Sequence, residues 1–277
     1  MTDRYAVIGN PVAHSRSPRI HAEFARATGE DLAYEAILAP LEGFAAAVAA
    51  FRAAGGRGLN VTVPFKLEAY RLASRRTPRA EQAGAVNTLS FVGEDALGDN
   101  TDGVGLVRDL EANLGAAIAG HRVLLLGAGG AARGVLFPLL GRRPAALTIA
   151  NRTGSRAVEL AALAAARRHA CAGIGFPELA GQAFDIVVNS TSASLSGEAP
   201  ELPAGVFAPG SLAYDMVYGQ GVTPFLAAAR ADGATRIADG LGMLVEQAAE
   251  SFLVWRGVRP ETAPVIRLLA AELPPLA

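Results

Sequence analysis

The sequence predicts an α/β protein of two domains, each built on a mostly parallel sheet. Three observations support this. A chain of 277 residues is long enough for two ordinary domains with substantial cores. From Arg122 onward, near-continuous apolar runs alternate with helix-like segments, the pattern of parallel strands covered on both faces and joined by right-handed crossovers. The first third of the chain alternates strand-like and helix-like segments in the same way.

RYAVIG is a strand ending in a Gly-Asn-Pro turn. SPRIHAEFARATG reads as a helix with Ser17 as N-cap, Pro18 at the first helical position, Ile20 and Phe24 on one face and Gly29 as the stop. In LEGFAAAVAAFRAAGG, Leu41, Phe44, Val48 and Phe51 are spaced for an amphipathic helix that Gly55 and Gly56 end, and the strand GLNVTV follows. AVNTLSFV with VGEDALG reads as a strand and hairpin-type turn; GVGLVRDLEANLG reads as a helix with Val104, Val107, Leu110 and Leu114 on its apolar stripe. Then come strand RVLLLG, a helix to about Gly141, strand ALTIA, a long alanine-rich helix, strands FDIVVNS and SLAYDMV, helix TPFLAAARADG and strand TRIA. PELPAGVFAPG, 200–210, reads as a loop, and two helices from about Asp239 are expected to pack back on the first domain. The domains are therefore placed at 1–101, 102–237 and, for the returning helices, 238–277.

Composition narrows the function. A hydrophobic share of 51% and a charged share of 18% fit a globular enzyme, and a net charge of −1 offers no attraction to nucleic acid or an anionic membrane. The opening MTDRYAVIGNPV lacks the apolar core of a secretory signal, and no run approaches the ~20 apolar residues that span a bilayer. The single Cys171 can form no internal disulfide, which is compatible with a reducing cytoplasm. His14, His21, His121 and His169 show no metal-ligand spacing, so no structural metal is expected.

The clearest motif is RVLLLGAGGAARG, where Gly127, Gly129 and Ala132 form G-x-G-x-x-A directly after a buried strand and at the start of a helix. The first glycine permits a tight turn and the second lets backbone approach a pyrophosphate. The small third residue lets helix and strand pack. Gly127, Ala128, Gly129, Gly130 and Ala131 are thus candidate cofactor residues of a Rossmann-type domain. An NAD site would carry an acid about 20 residues on, for the ribose 2′-hydroxyl. Asn151 stands there instead, 24 residues after Gly127, followed by Arg152, Thr153 and Arg156. Two guanidinium groups and a hydroxyl suit a 2′-phosphate, so NADP is the expected cofactor; the bland alternative is a solvated helix start.

Of the 25 cationic side chains only Lys66, in NVTVPFK, is a lysine. GC-rich codon drift explains the arginines, and the survivor marks a site where a compact, proton-exchanging ammonium is needed. Asp102, in GDNTDG, is either a helix N-cap or the carboxylate partner of Lys66 in a pair that moves a proton to or from an alcohol or carbonyl oxygen. Asn10 and Asn100 read as turn formers, while Asn87 fits a turn or a ligand contact equally. Gln247 lies about 120° around its helix from the stripe of Leu241, Ala248 and Phe252, so it need not be core.

GNPVAHSRSP, NVTVPFK, AGAVNT, GDNTDGVGL, LLGAGGAARGV, NRT.SRA, YDMVY and ADGLGMLVEQAA, in this order, closely resemble the shikimate dehydrogenase family over almost the whole chain. The resemblance implies NADP-linked, reversible reduction of 3-dehydroshikimate to shikimate on the route to aromatic amino acids, with a small-molecule substrate and room for a homodimer. It implies that Ser15 and Ser17 hold the substrate carboxylate with Tyr218 near it, and that Thr62, Asn87, Asp102 and Gln247 hold ring hydroxyls. It also implies that Met216 and Gly240 line the nicotinamide end of the cofactor. On sequence alone Ser17 is equally a helix cap, and Met216 and Tyr218 equally packing residues. Pro78, in RRTPRA, departs from relatives that carry an acid near the cofactor. The implied chemistry is hydride transfer to the substrate ketone, with Lys66 stabilising or protonating the alkoxide and Asp102 holding Lys66. A quinate or shikimate dehydrogenase of broader specificity is the nearest alternative, distinguished by pocket size near Thr62 and Tyr218. A non-catalytic NADP-sensing regulator is another, but it would need no Lys66 and Asp102 relay.

Overall fold

The structure, a computed structural model, describes residues 2–276. It divides into two compact units: residues up to Gly105 with Val245–Val265, and Leu106–Leu244 with the residues from Ile266 on. The returning helices were expected to join the first domain from 238 onward. Only 245–265 belongs to it, and the division falls inside helices rather than between them.

The first unit contains β1 (Asp3–Gly9), α1 (Ser17–Thr28), β2 (Leu32–Leu38), α2 (Phe44–Ala53), β3 (Gly56–Val61), α3 (Lys66–Leu72), β4 (Arg75–Arg76), α4 (Pro78–Ala83), β5 (Thr88–Val92) and β6 (Asp95–Asp99), and it includes the start of α5 (Asp102–Arg108). Its sheet runs β2-β1-β3-β5-β6-β4, with β1 parallel to β2 and β3, β4 parallel to β6, and β5 antiparallel to both neighbours. Ile8, Phe44, Phe51, Leu59, Phe65 and Leu89 form its core.

Gly29 ends α1 at φ 72°, the left-handed cap the sequence implied. Other expectations need correction. Leu41 lies in the turn before α2 and is exposed, since the helix begins only at Phe44. Ser17 is not the N-cap but the first residue of α1; its backbone N–H donates to Ser15 Oγ at 3.3 Å. Asp102 is likewise the first residue of α5 rather than its cap, and its N–H is received by Asn100 Oδ1 at 3.2 Å. After Arg108 the helix passes into a π-helical turn, Asp109–Asn113.

The second unit contains β7 (Arg122–Leu126), α6 (Gly130–Gly141), β8 (Ala146–Asn151), α7 (Gly154–Ala165), β9 (Ala172–Gly175), β10 (Phe184–Asn189), β11 (Phe207–Asp215), α8 (Pro224–Ala231) and β12 (Arg236–Asp239). The remaining helices are α9 (Leu241–Arg256) and α10 (Ala263–Ala270). The sheet is wholly parallel in the order β12-β11-β10-β7-β8-β9, the doubly wound arrangement. Alternate residues of β7 explain its unbroken apolar run. Val123 and Leu125 enter one core with Ile149, Val188 and Tyr214, while Leu124 and Leu126 enter the other with Val187, Ala213 and Phe225. β11 begins at Phe207, inside the segment read as a loop. No helix among the described residues is long and apolar enough to cross a membrane.

In the first unit His21 is fully buried and stacks on Tyr34, with 4.1 Å between centroids and 4° between planes. Trp255 stacks on Tyr5 at 4.6 Å and donates its Nε1–H to Leu89 O at 3.1 Å. Gly58 makes that approach possible, because a Cβ there would lie 2.6 Å from Trp255 Nε1. Neither ring nitrogen of His21 has a hydrogen-bond partner. Burial drives its pKa from 6.5 down to about 3, against a weaker upward pull from Asn60. The folded state therefore resists the proton that the unfolded chain accepts. Stability is unaffected above pH 6.5 and falls as the pH drops from 6.5 toward 3, by up to about 1.4 kcal/mol per pH unit. The expected result is a melting temperature that declines between pH 6.5 and 4.5 in the parent protein and declines less in His21→Phe. Parallel declines would remove His21 as the cause.

Candidate active site

Lys66 opens α3, and a cation in a first turn opposes the helix dipole. A carboxylate offsets this: Lys66 Nζ donates to Asp102 Oδ2 at 2.6 Å. The pair is partly shielded, with 32% of the lysine side chain and 15% of the aspartate side chain exposed, so it is open to a ligand. Sheet pairing brings together residues 36 positions apart in sequence. β3 feeds α3 through the NVTVPFK turn, and antiparallel β5 and β6 return the chain so that Asn87 and Asp102 lie beside it.

Asn87 fixes the second oxygen of Asp102. Its Oδ1 receives the backbone N–H of Thr101 at 2.8 Å, an unambiguous donor that sets the orientation of the amide. Its Nδ2 must then face Asp102 Oδ1, to which it donates at 2.8 Å; it also reaches Thr101 Oγ1 at 2.9 Å and Gln247 Oε1 at 3.3 Å. Behind this group lies a buried polar chain that the sequence reading did not assign. Asn60 Nδ2 donates to Ser251 Oγ at 2.9 Å, and Ser251 meets Thr88 and Thr101 hydroxyls at 2.9 and 3.3 Å. Tyr34 donates to Asn60 Oδ1 at 2.7 Å. Hydrogen bonds thus run from Tyr34 to Lys66. Only the proximity of Thr101 to Asp102 signalled any of this in sequence; Ser251 sits 191 residues from Asn60.

Gln247 is held against this group because α9 is anchored by ions. Arg79 forks onto both oxygens of Asp99 at 2.6 Å and reaches Glu250 at 2.7 Å, while Arg259 bridges Glu250 at 2.8 Å and Glu246 at 2.5 Å. Burial alone would raise the Asp99 carboxyl, but Arg79 holds it below the ordinary carboxylate value. Pro78 is the first residue of α4, capped by the Thr77 hydroxyl. Thr62 and Ser15 are half-buried and Ser17 is buried. Asn10 and Asn100 serve turns, donating to Ala39 O at 2.8 Å and Ala85 O at 3.0 Å.

In the second unit a cavity of about 950 Å³ is lined by Gly127, Ala128, Gly129, Gly130 and Ala131, by Asn151, Arg152 and Arg156, by Ser196, and by the segments 176–177, 190–193 and 198–201. Gly127 has φ +102°, and a Cβ on it would lie 2.8 Å from Ser190 Oγ. A Cβ on Gly129 or Gly130 would meet nothing within 4 Å, so these glycines keep the floor open at the N-terminus of α6 rather than serving the packing of the protein itself. Arg152 and Arg156 have no carboxylate partner among the described residues, leaving two guanidinium groups available to an anion. Asn151 donates to Thr153 O at 2.9 Å, shaping the turn. Thr153, Met216 and Gly240 are not among the lining residues. Met216 and Tyr218 are half-buried in the loop after β11, and a side chain on Gly240 would collide with Met216 O. The cavity suits a dinucleotide with an additional phosphate.

Three family models match the chain: the shikimate dehydrogenase substrate binding domain over 7–89, shikimate / quinate 5-dehydrogenase over 109–196, and the shikimate 5′-dehydrogenase C-terminal domain over 240–269. A shikimate dehydrogenase (NADP(+)) of Aromatoleum aromaticum is 64% identical over 98% of both chains. Among solved structures, an Ael1 enzyme from Pseudomonas putida is 51% identical with a TM-score of 0.94 over the whole of both chains. Shikimate 5-dehydrogenase from Thermus thermophilus, in complex with NADP(H) and shikimate, is 34% identical with a TM-score of 0.86 over 98% of this chain and 100% of that one.

Proposed function

The chain belongs to the shikimate dehydrogenase family, and on that premise we propose which of its residues carry the reaction. It is an NADP-dependent oxidoreductase that interconverts 3-dehydroshikimate and shikimate in aromatic amino acid biosynthesis. One observation supports the residue assignment above the others: the Lys66 ammonium lies 2.6 Å from an Asp102 whose other oxygen is held by an oriented Asn87.

The Gly127–Ala131 turn would hold NADPH, with Arg152 and Arg156 on its 2′-phosphate, and the bound cofactor would supply the hydride for the substrate ketone carbon. Lys66 donates the matching proton to the oxygen that becomes the hydroxyl; in the oxidative direction the neutral amine takes that proton back. Asp102 holds Lys66 in place and, with Thr62, Asn87 and Gln247, binds ring hydroxyls. Ser15, Ser17 and Tyr218 take the substrate carboxylate, and Met216 and Gly240 flank the nicotinamide. The lone cysteine supports placing the reaction in the cytoplasm.

Turnover assays with shikimate and quinate, each with NADP and NAD, test the reading; no activity on shikimate would overturn it, and comparable activity on quinate would widen it. Because Lys66 is the only lysine, amine-selective labelling has two targets, this residue and the N-terminus. Labelling is expected to abolish activity, and bound shikimate to prevent the loss. Inactivation that ignores shikimate would argue against Lys66.

A further inference from the structure

Two carboxylates that the mechanism does not use sit at the C-terminal ends of neighbouring parallel strands: Asp215 ends β11, Asp239 ends β12, and they are paired in register. Asp215 is fully buried and Asp239 half-buried. Neither has a cationic partner among the described residues; every contact is to a neutral donor. Asp215 Oδ2 receives the hydroxyls of Ser194 and Thr223, both at 2.6 Å, and Oδ1 receives Asn189 Nδ2 and the backbone N–H of Val217, both at 3.2 Å. Asp239 receives the backbone N–H of Gly219 at 3.0 Å and that of Leu241 at 3.1 Å.

The two carboxylates thus hold the peptide N–H groups on either side of Tyr218, that of Val217 from one strand end and that of Gly219 from the next. Main-chain bonds complete the clamp, from Met216 N to Asn189 O at 2.9 Å and from Gly240 N to Val217 O at 3.2 Å. Burying unpaired carboxylates side by side is unfavourable through desolvation and mutual repulsion. At Asp239 a neutral residue of the same shape could not serve, because each carboxylate oxygen receives a backbone N–H and an amide would turn a donor toward one of them.

We propose that Asp215 and Asp239 are positioning residues that fix the Met216–Gly219 loop, and with it the approach of Tyr218 to the substrate carboxylate. The proposal rests on the reading of Tyr218 as a substrate contact. Asp215 also reaches the cofactor cavity, since the Asn189 it holds receives the Thr191 N–H and hydroxyl at 3.1 and 2.7 Å. Asp239 touches the loop and the start of α9 alone, which makes it the cleaner test.

Asp239→Asn preserves shape but turns a donor toward Gly219 or Leu241. Its KM for shikimate is expected to rise roughly tenfold, as for one lost hydrogen bond, with a much smaller change in the KM for NADP. Hydrogen exchange at the Val217 and Gly219 amides should accelerate in the same variant. Asp215→Ala, which removes both acceptor oxygens, should act in the same direction on both readouts; should it fail to fold, Asp239→Asn decides alone. Tyr218→Phe should raise the shikimate KM by itself, and adding Asp239→Asn to it should have little further effect, the signature of coupled residues. An Asp239→Asn effect that persists undiminished in the Tyr218→Phe background overturns the proposal, as does unchanged exchange at both amides. A Tyr218→Phe variant with parental KM defeats the substrate assignment of Tyr218 instead, and the exchange data tell that failure from the other.

Discussion

Lys66→Arg is expected to lower turnover by ~10²- to 10⁴-fold, the range for a lost general acid or base, with NADPH affinity nearly unchanged. The substitution keeps the positive charge, so electrostatic attraction to a developing alkoxide survives and only proton exchange is lost. Its planar head is also longer than the ammonium it replaces, and Lys66 and Asp102 are already in contact at 2.6 Å. Part of the loss is therefore steric, and Lys66→Ala separates the two effects by leaving room while removing the donor. Steady-state kinetics in both directions, with NADPH binding followed by fluorescence, provide the measurement. Near-parental turnover in the arginine variant would reduce the lone lysine to an accident of composition.

Arg152→Ala is expected to weaken NADP binding by ~10- to 100-fold, the worth of a charge-assisted hydrogen bond, and NAD binding by less than about threefold. Arg152 and Arg156 face the cavity together, with Asn151 where an NAD site has a carboxylate. Without its 2′-phosphate the dinucleotide gives these guanidinium groups nothing to hold. Titration of both cofactors against parent and variant decides the matter; equal losses would mean that Arg152 only shapes the turn between β8 and α7.

What the sequence made legible was local. The Gly127 turn could be read because its strand, loop and helix are contiguous, and its geometry follows from three small residues. Apolar runs such as VLLL and DIVV are unmistakable because both faces of β7 and β10 are covered. β2 and β9 escaped because they are edge strands at opposite sheets, half-exposed and rich in small or polar residues, LAYEAIL and AGIG. The cap read at Ser17 was misplaced, and of the two readings left open for Asp102 the cap does not hold, because Ser15 and Asn100 supply the oxygens that a start signal gives to their neighbours. Residue types at the site were readable but their meeting was not. Lys66 touches Asp102 only through the pairing of β3, β5 and β6, and Ser251 looks like a solvent-facing hydroxyl until α9 is placed against β5.

The environment of Trp255 has a spectroscopic consequence. It is the only tryptophan in the chain, and its indole lies among Tyr5, His21, Tyr34 and the Leu89 carbonyl, all within the first unit. Intrinsic indole emission therefore reports on that unit and is silent about the unit that carries the glycine turn. A thermal melt followed at the indole and one followed by far-ultraviolet circular dichroism, which sees the helices of both, coincide only if the whole chain unfolds in a single step. An emission transition displaced from the dichroism transition would mean that the units lose their structure separately. Adding saturating NADP would then move the transition of the unit that binds it and leave the emission midpoint where it was.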